Sequence, residues 1–355
     1  MIEEIQTLIS IDAPTGFEAP IRNYLASEMK KYVQEVKVDR FGNLIAIKPS
    51  KSKNPAKILL AAHMDEIGFI VRDIDENGFI AFNELGSWLD QVVFGMQVKI
   101  LGEKKAVLGV VGAKPPHIMT EEERSKLIKI QDMFIDTGLT KQELEKAGVR
   151  VGSPIVPFSS FKVLNEKRIM GKAFDNRIGC TVLLETAKRL RNEELNSEVY
   201  FIFTSQEEVG LRGARTAIYE IEVDAAFVFE CTVAGDVPNV ARKDSPSELG
   251  RGAAITVMDR SMITQPSILN YIFSLAKTQG IKYQIKKPPS GRTDAGEIHL
   301  GKAGIPTAVI SVPCRYIHSI ASIADLDDIE STIALAIAIL KDFSRERLRE
   351  WFELA

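Results

Sequence analysis

The sequence predicts an α/β chain: a mixed, mostly parallel sheet sandwiched by helices, with a small β-barrel-like domain inserted into it. Three observations predict this class. Short, mostly apolar runs such as Lys57–Ala62 and Glu198–Thr204 suit strands buried on both faces. Apolar residues at helical spacing separate later runs, and strand–helix alternation implies a sheet covered on both sides. From about residue 70 to 162 the texture changes to short alternating segments punctuated by glycine, the rhythm of an antiparallel barrel or meander. The chain is expected to divide into 1–69, 70–162 and 163–355, the outer two parts forming one domain.

The elements follow in order. Ile2, Ile5, Leu8 and Ile9 mark a first helix, and Ile21, Tyr24, Leu25 and Met29 a second beyond Pro14-Thr15-Gly16. Val36–Ile47 alternates, with Gly42-Asn43 as a hairpin turn. The run Lys57–Ala62 ends at His63. The inserted segments start at Gly68, Gly78, Gln97 and Ala106, and a polar stretch carries capping-box sequences at Thr120/Glu123 and Thr140/Glu143. After Gly171 come a helix over Asn176–Arg191, strands at Glu198–Thr204 and Ala225–Phe229, and a helix near Ser267–Thr278. A strand at Thr307–Val312 and a long helix from about Asp328 complete the pattern.

At 355 residues there is ample chain for a sizeable core in two or three domains. The net charge of −3, from 45 basic and 48 acidic residues without a basic block, argues against nucleic acid or an anionic membrane as partner. Three scattered cysteines in apolar surroundings fit a reducing compartment. Met-Ile-Glu-Glu-Ile has no signal-peptide character, and the apolar run Ile333–Leu340 is too short for a membrane span. A cytoplasmic protein is expected.

Ligands of open α/β sheets bind beyond the carboxyl ends of the strands. His63, Glu207, Glu208, Glu230 and His318 all follow predicted strands, and Asp175 sits at an N-cap position with a helix behind it. Each has an ordinary explanation: a hydrogen-bonded histidine, a helix cap, a solvated Glu-Glu pair. Glu230 is the hardest to explain so, because it ends an apolar strand and its burial has to be offset by a cation or partner. Gathered on one sheet edge, these groups suit divalent cations that activate a water.

At these residues the chain resembles the tetrahedral, glutamyl-aminopeptidase-like (TET) family of dinuclear metallo-aminopeptidases. The resemblance rests on Ala62-His-Met-Asp-Glu-Ile-Gly68, Gly171-Lys-Ala-Phe-Asp-Asn-Arg177, Ser205-Gln-Glu-Glu-Val-Gly210, Arg292-Thr-Asp-Ala-Gly296 and Arg315-Tyr-Ile-His-Ser319, which occur in the family's order. Gly112-Ala-Lys-Pro-Pro-His117 extends it to the family's dimerisation domain. The resemblance implies a zinc-exopeptidase-like fold and two divalent cations per subunit, with Asp175 bridging them. His63 and Glu230 would complete one site and Glu208 and His318 the other, each ion keeping an open position. Asp65 would orient His63, Glu207 would be the general base, and the Asp175–Asn176 peptide would be cis. Many relatives carry Asp where this chain has Glu230, which leaves denticity and metal preference there open. Arg292 stands where glycine is common in relatives; it is either a solvated surface arginine or, if it faces the cleft, a residue that would favour acidic substrates, and Thr293 and Asp294 join it as candidate substrate-binding residues.

The expected reaction is release of the N-terminal residue from peptides with free N-termini. Zinc suits two histidines and several carboxylates; cobalt or manganese would also fit. A metal-dependent deacylase or dipeptidase on the same scaffold is the nearest alternative. A two-carboxylate glycoside hydrolase, with Glu207 or Glu208 as acid and Glu230 as nucleophile, would leave both histidines idle. Its sugar-stacking residues would be Trp88 and Trp351, neither near the motifs in sequence. His117 suits a loop or interface, His299 helix packing, and Arg315-Tyr316 the cleft wall. Self-association through the insertion is expected, as a dimer or as a dodecamer built from dimers.

Overall fold

The computed structural model describes residues 1–287 and 291–351. One mixed sheet of eleven strands forms the larger unit, and a closed six-stranded barrel forms the smaller. At the centre of the sheet, Ser197–Thr204, Ala56–His63, Ala225–Val233 and Thr307–Arg315 run parallel side by side. Antiparallel strands flank them, Leu44–Lys48 and Glu35–Val38 on one side, Ser322–Asp325 and Arg168–Gly171 on the other.

Alternate residues of the central strands point to opposite faces, and both faces are covered. Ile58, Leu60, Phe201, Phe203, Phe227 and Phe229 pack into one core beneath helices Ile2–Ser10, Ala19–Met29, Phe174–Arg189, Pro266–Thr278 and Leu326–Asp342. Leu59, Ala61, Ile202, Val228 and Val309 pack into another, closed by Arg212–Glu220 and Ala295–Ile298. The barrel consists of Gly68–Ile74, Ile80–Leu85, Phe134–Asp136, Ala106–Gly112, Gln97–Leu101 and Pro154–Pro157. It has its own core, in which Phe69 stacks on Trp88 at 4.8 Å and meets Phe82 edge-on at 5.0 Å. Both capping boxes form, at Thr120 and Thr140.

Several elements depart from the sequence expectation. Gly42-Asn43 is not a two-residue turn: Asp39 Oδ1 gathers the N–H groups of Phe41, Gly42 and Asn43 into a longer loop. Asn43 is then free to bond Ser205 N and Gly213 O across the sheet end. The strand expected to stop at Phe229 continues through Glu230 to Val233, because Cys-Thr-Val offers no turn residue. The last helix breaks at Phe343-Ser344, where Ser344 caps a further helix over Arg345–Glu350. Arg212–Glu220 and the strands Ala253–Thr256 and Tyr283–Lys286 were not anticipated. Among the described residues, no helix is long and apolar enough to cross a membrane. The three cysteines are free and buried.

Candidate active site

The parallel register places Thr204 beside His63 and Glu230 beside Ser311, so the strand ends open onto one recess. From Thr204 the chain turns through Ser205-Gln206-Glu207-Glu208, and Asp65 pins that turn. Asp65 Oδ1 accepts from Glu207 N at 3.1 Å and Oδ2 from Glu208 N at 3.2 Å, while the Thr15 hydroxyl also donates to Oδ2. The same carboxylate lies 3.4 Å from His63 Nδ1, which leaves Nε2 pointing into the recess. Gly213 is required where the following helix begins, since a Cβ there would stand 2.3 Å from Ser205 O.

Asp175 does not cap its helix. It and Asn176 have non-helical backbones, joined by a cis peptide, and the Asn176 side-chain Oδ1 accepts from Gly179 N at 3.0 Å in the capping role. Asp175 is thereby released to face both histidines. The Asn176 amide also donates to Glu230 Oε2 at 2.7 Å and Phe229 O at 2.8 Å, fixing the carboxylate of the neighbouring strand. His318 follows the strand Thr307–Arg315 in a turn with positive φ at Tyr316 and His318. Its Nδ1 lies 2.9 Å from Ser87 O; a carbonyl only accepts, so Nδ1 carries the proton and Nε2 is left as a donor atom for a ligand.

Three groups of three ligand-type residues result: His63 with Asp175 and Glu230, His318 with Asp175 and Glu208, and His63 with Glu207 and Glu208. His63 Nε2 is 3.2 Å from Asp175 Oδ1 and 3.5 Å from Glu230 Oε2. His318 Nε2 is 3.4 Å from Asp175 Oδ2 and 3.5 Å from Glu208 Oε1. Asp175 offers one oxygen to each of the two groups that contain it. Ligand atoms about 2.0–2.1 Å from a tetrahedral zinc stand about 3.3 Å from one another, so both spacings fit a cation. Glu208 Oε1 and Glu230 Oε1 are also buried without hydrogen-bond partners, a cost that a cation removes. Glu207 Oε2 stands farther off, 4.0 Å from His63 Nε2.

The charges require the same complement. Burial pushes Glu207 and Glu230 well above the carboxylate range despite His63, with neighbouring carboxylates adding to the rise. Burial likewise pushes Glu208 up to about 7 despite His318. Burial works against charge on Asp175 too, yet His318 and His63 hold it well below the ordinary range. The imidazoles move the other way. Burial opposes a proton on His318, but Asp175 and Glu208 outweigh it and raise the group to about 9. Glu207 and Glu230 do the same for His63. This recess holds more negative charge than its own side chains neutralise.

The surrounding cleft encloses about 600 Å³. Arg292 and Thr293 line it, and Thr293 Oγ1 donates to Asp259 Oδ2 at 3.3 Å. Asp294, expected beside them at the substrate, is fully buried below the cleft floor, where the Thr204 hydroxyl donates to it. Trp88, remote from the motifs in sequence, lines the cleft with Ser87 and Leu89, because a barrel loop folds over the sheet edge. Arg315 and Tyr316, expected at the cleft wall, are not among its lining residues: Arg315 makes a two-point ion pair with Asp236, and Ile317 and His318 line the cleft instead. His117 lies exposed in a short helical turn of the inserted segment, and His299 caps the helix Ala295–Ile298. Asp259, Arg260 and Lys286 also line the cleft and were missed: no local pattern marks them, and only the strand order brings them there.

A mixed sheet carrying a histidine–carboxylate cluster at its carboxyl edge fits a metal-dependent hydrolase. The chain belongs to the M42 glutamyl aminopeptidase family, whose model matches residues 42–335. It is 33% identical to the lysyl aminopeptidase of Pyrococcus furiosus over 96% of both chains. Among solved structures, a TET aminopeptidase from a marine sediment Thaumarchaeota archaeon superposes with a TM-score of 0.95 at 40% identity, covering 99% of this chain and 98% of that one. The TET1 peptidase of Pyrococcus horikoshii, which can assemble into a tetrahedron or a large octahedral shell, has a TM-score of 0.85 at 32% identity over 96% and 99% of the chains.

Proposed function

We propose that this protein removes the N-terminal residue from peptides in a reaction supported by two divalent cations, with Glu207 as general base. The observation that carries the reading is the pair of ligand groups sharing Asp175, each with donor atoms 3.2–3.5 Å from its imidazole. His63, Asp175 and Glu230 would hold one cation, and Asp175, Glu208 and His318 the other. Zinc matches this donor set best, with cobalt and manganese as alternatives. Bound there, divalent cations supply Lewis acidity that lowers the pKa of a water and polarises a carbonyl.

The protein's own residues do the rest. Glu207 takes the proton from the attacking water and delivers it to the leaving nitrogen; burial, which raises its proton affinity, suits that exchange. Asp65 positions Glu207 through its backbone N–H and holds His63 in its tautomer. Trp88 and Leu89 of the barrel loop line the cleft and give it an apolar side.

Residues 1–69 and 163–355 are assigned to one catalytic unit and 70–162 to an assembly unit. Exposed Leu108, Val110, Ile118 and Leu127 on the latter support self-association, as dimers that build a dodecamer. The buried free thiols support a cytoplasmic setting.

The test uses chelator-stripped protein and a mixed peptide pool, with and without zinc, cobalt or manganese. Metal-restored release of amino acids from free but not acetylated N-termini is expected. Cleavage of acylated peptides alone would replace the reading with a deacylase, and a limit to two-residue peptides with a dipeptidase.

A further inference from the structure

We infer that Glu18 is a positioning residue for Glu207: its carboxylate holds the turn at Gln206 and so aims the base into the recess, an inference that rests on the aminopeptidase reading above. Four successive N–H groups of this turn are each held by a side chain from elsewhere in the chain. Ser205 N donates to Asn43 Oδ1 at 2.9 Å, Gln206 N to Glu18 Oε1 at 3.1 Å, Glu207 N to Asp65 Oδ1 at 3.1 Å and Glu208 N to Asp65 Oδ2 at 3.2 Å. Of these four residues Gln206 alone has a positive φ, 55°. A residue with a Cβ keeps that left-handed backbone only where its surroundings over-determine it. The turn at Gln206 comes immediately before Glu207, so a flip to negative φ would rotate the base out of its place beside His63.

The surroundings of Glu18 suit that hold. It stands just before the helix Ala19–Met29 and is buried, only 5% exposed. Burial and the neighbouring Asp65 both work against its charge, and backbone N–H groups, those of Gly16 and Gln206 among them, oppose them. Oε1 accepts from Gly16 N at 2.7 Å, so the carboxylate is fixed by its own loop before it reaches Gln206, 188 residues away in the chain. The loop is itself tied to the segment after His63: Thr15 N donates to Glu66 O at 3.0 Å and the Thr15 hydroxyl to Asp65. One short loop therefore anchors Gln206 directly and steadies Asp65, the anchor of the next two residues. Glu18 belongs to none of the ligand groups and does not line the cleft, so its action on the reaction runs through the backbone that carries Glu207.

Two substitutions separate reach from charge. Glu18→Asp keeps the carboxylate but shortens its arm by one methylene, which breaks the span to Gln206 N. Glu18→Gln gives up the charge and keeps an acceptor oxygen at the same reach. On the zinc-loaded protein, with the best-cleaved peptide of the pool, Glu18→Asp should lower kcat at least about tenfold while KM and bound zinc stay as in the parent. Glu18→Gln should retain most of the parental kcat, as should Phe17→Ala, a control in the same loop. Amide hydrogen–deuterium exchange of the segment Thr204–Gly210 in the stripped protein, read by mass spectrometry, should quicken in Glu18→Asp and not in Glu18→Gln. Parental kcat and exchange in Glu18→Asp would overturn the inference. So would a loss in Glu18→Gln as deep as in Glu18→Asp, or a fall in kcat matched by a fall in bound zinc. If the unaltered protein cleaves no peptide while exchange still quickens in Glu18→Asp alone, the aminopeptidase reading fails and the hold of Glu18 on the turn stands.

Discussion

Asp65→Asn isolates what one buried carboxylate does for both an imidazole and a loop. Asp65 is fully buried and meets Glu207 N, Glu208 N, the Thr15 hydroxyl and His63 Nδ1. The first three donate to it and His63 Nδ1 faces Oδ1 at 3.4 Å, whereas asparagine keeps one acceptor oxygen and presents an amide donor at its other position. With the amide in place of Oδ1, both Glu207 N–H and His63 would face a donor. With it in place of Oδ2, the Thr15 hydroxyl can turn and accept, so only Glu208 N–H loses its partner. The second arrangement is therefore preferred. It leaves one buried N–H unsatisfied, at about 1–3 kcal/mol, and turns a charge-assisted bond to Glu207 N into a neutral one, at about 1 kcal/mol. The chelator-stripped variant should accordingly unfold in denaturant with a loss of about 2–4 kcal/mol. Loss of the carboxylate behind a ligating histidine should also weaken zinc binding about 10–100-fold, read by competition with a chromophoric chelator. Stability within about 1 kcal/mol of the parent, together with unchanged zinc affinity, would refute the assignment of both roles to Asp65.

Other expectations are independent of that one. Glu207→Gln should retain bound metal and lose about two orders of magnitude or more in kcat; near-full turnover with normal metal content would remove Glu207 as the base. In the stripped protein His318, raised to about 9, carries a proton at neutral pH, and Glu208, raised to about 7, gains one in acid. Ligation needs both groups deprotonated, so zinc uptake should release protons below pH 9, more of them below pH 7, and affinity should fall as pH falls. Calorimetry in buffers of different ionisation enthalpy would detect this, and proton-neutral uptake between pH 6 and 8 would contradict it. Arg177 is fully buried and donates to Leu8 O, Ile11 O, Ala13 O and Glu66 at 2.5, 3.0, 3.4 and 3.3 Å. Arg177→Met strands these acceptors and should cost about 3–5 kcal/mol in denaturant unfolding; a loss below about 1 kcal/mol would mean that the loop before Pro14 repacks freely.

The parts of the site legible in the sequence are those that strand geometry dictates. A strand buried on both faces tolerates polar residues only at its ends, so His63 and the Glu207-Glu208 pair stood out after apolar runs. Glu230 stood out for the same reason, although its strand runs on for three residues beyond it. Asp175 and Asn176 show where such reading stops. Both residue types cap helices, and only the backbone decides that Asn176 caps while Asp175 faces the histidines. Lys286 and Trp88 were invisible for another reason. One reaches the cleft through the order of strands in the sheet, the other through the swing of a barrel loop. Neither event leaves a periodic mark. The helix Arg212–Glu220 escaped because its buried face is only Gly213, Ala214, Ala217 and Ile218.

The barrel contributes no candidate ligand, yet it orients one. His318 Nδ1 bonds Ser87 O, and Trp88, the next residue, is anchored twice: its ring stacks on Phe69 and its Nε1 donates to Gly68 O at 3.0 Å. The barrel core thus holds the carbonyl that sets the His318 tautomer, although barrel and histidine lie 231 residues apart in the chain. Trp88→Ala removes the stacking and the anchor, opening a cavity worth about 3–5 kcal/mol in the barrel core. The loop should then lose its hold on His318 while His63, Asp65 and Asn176 stay fixed by the sheet. Metal analysis after exhaustive buffer exchange should find the bound zinc falling from two toward one per chain, the His63 group keeping its ion. Trp88→Phe keeps the ring contact without the Nε1 bond and should fall between the two. Two tightly held ions in Trp88→Ala would mean that His318 is oriented from within the catalytic sheet and that the barrel serves assembly alone.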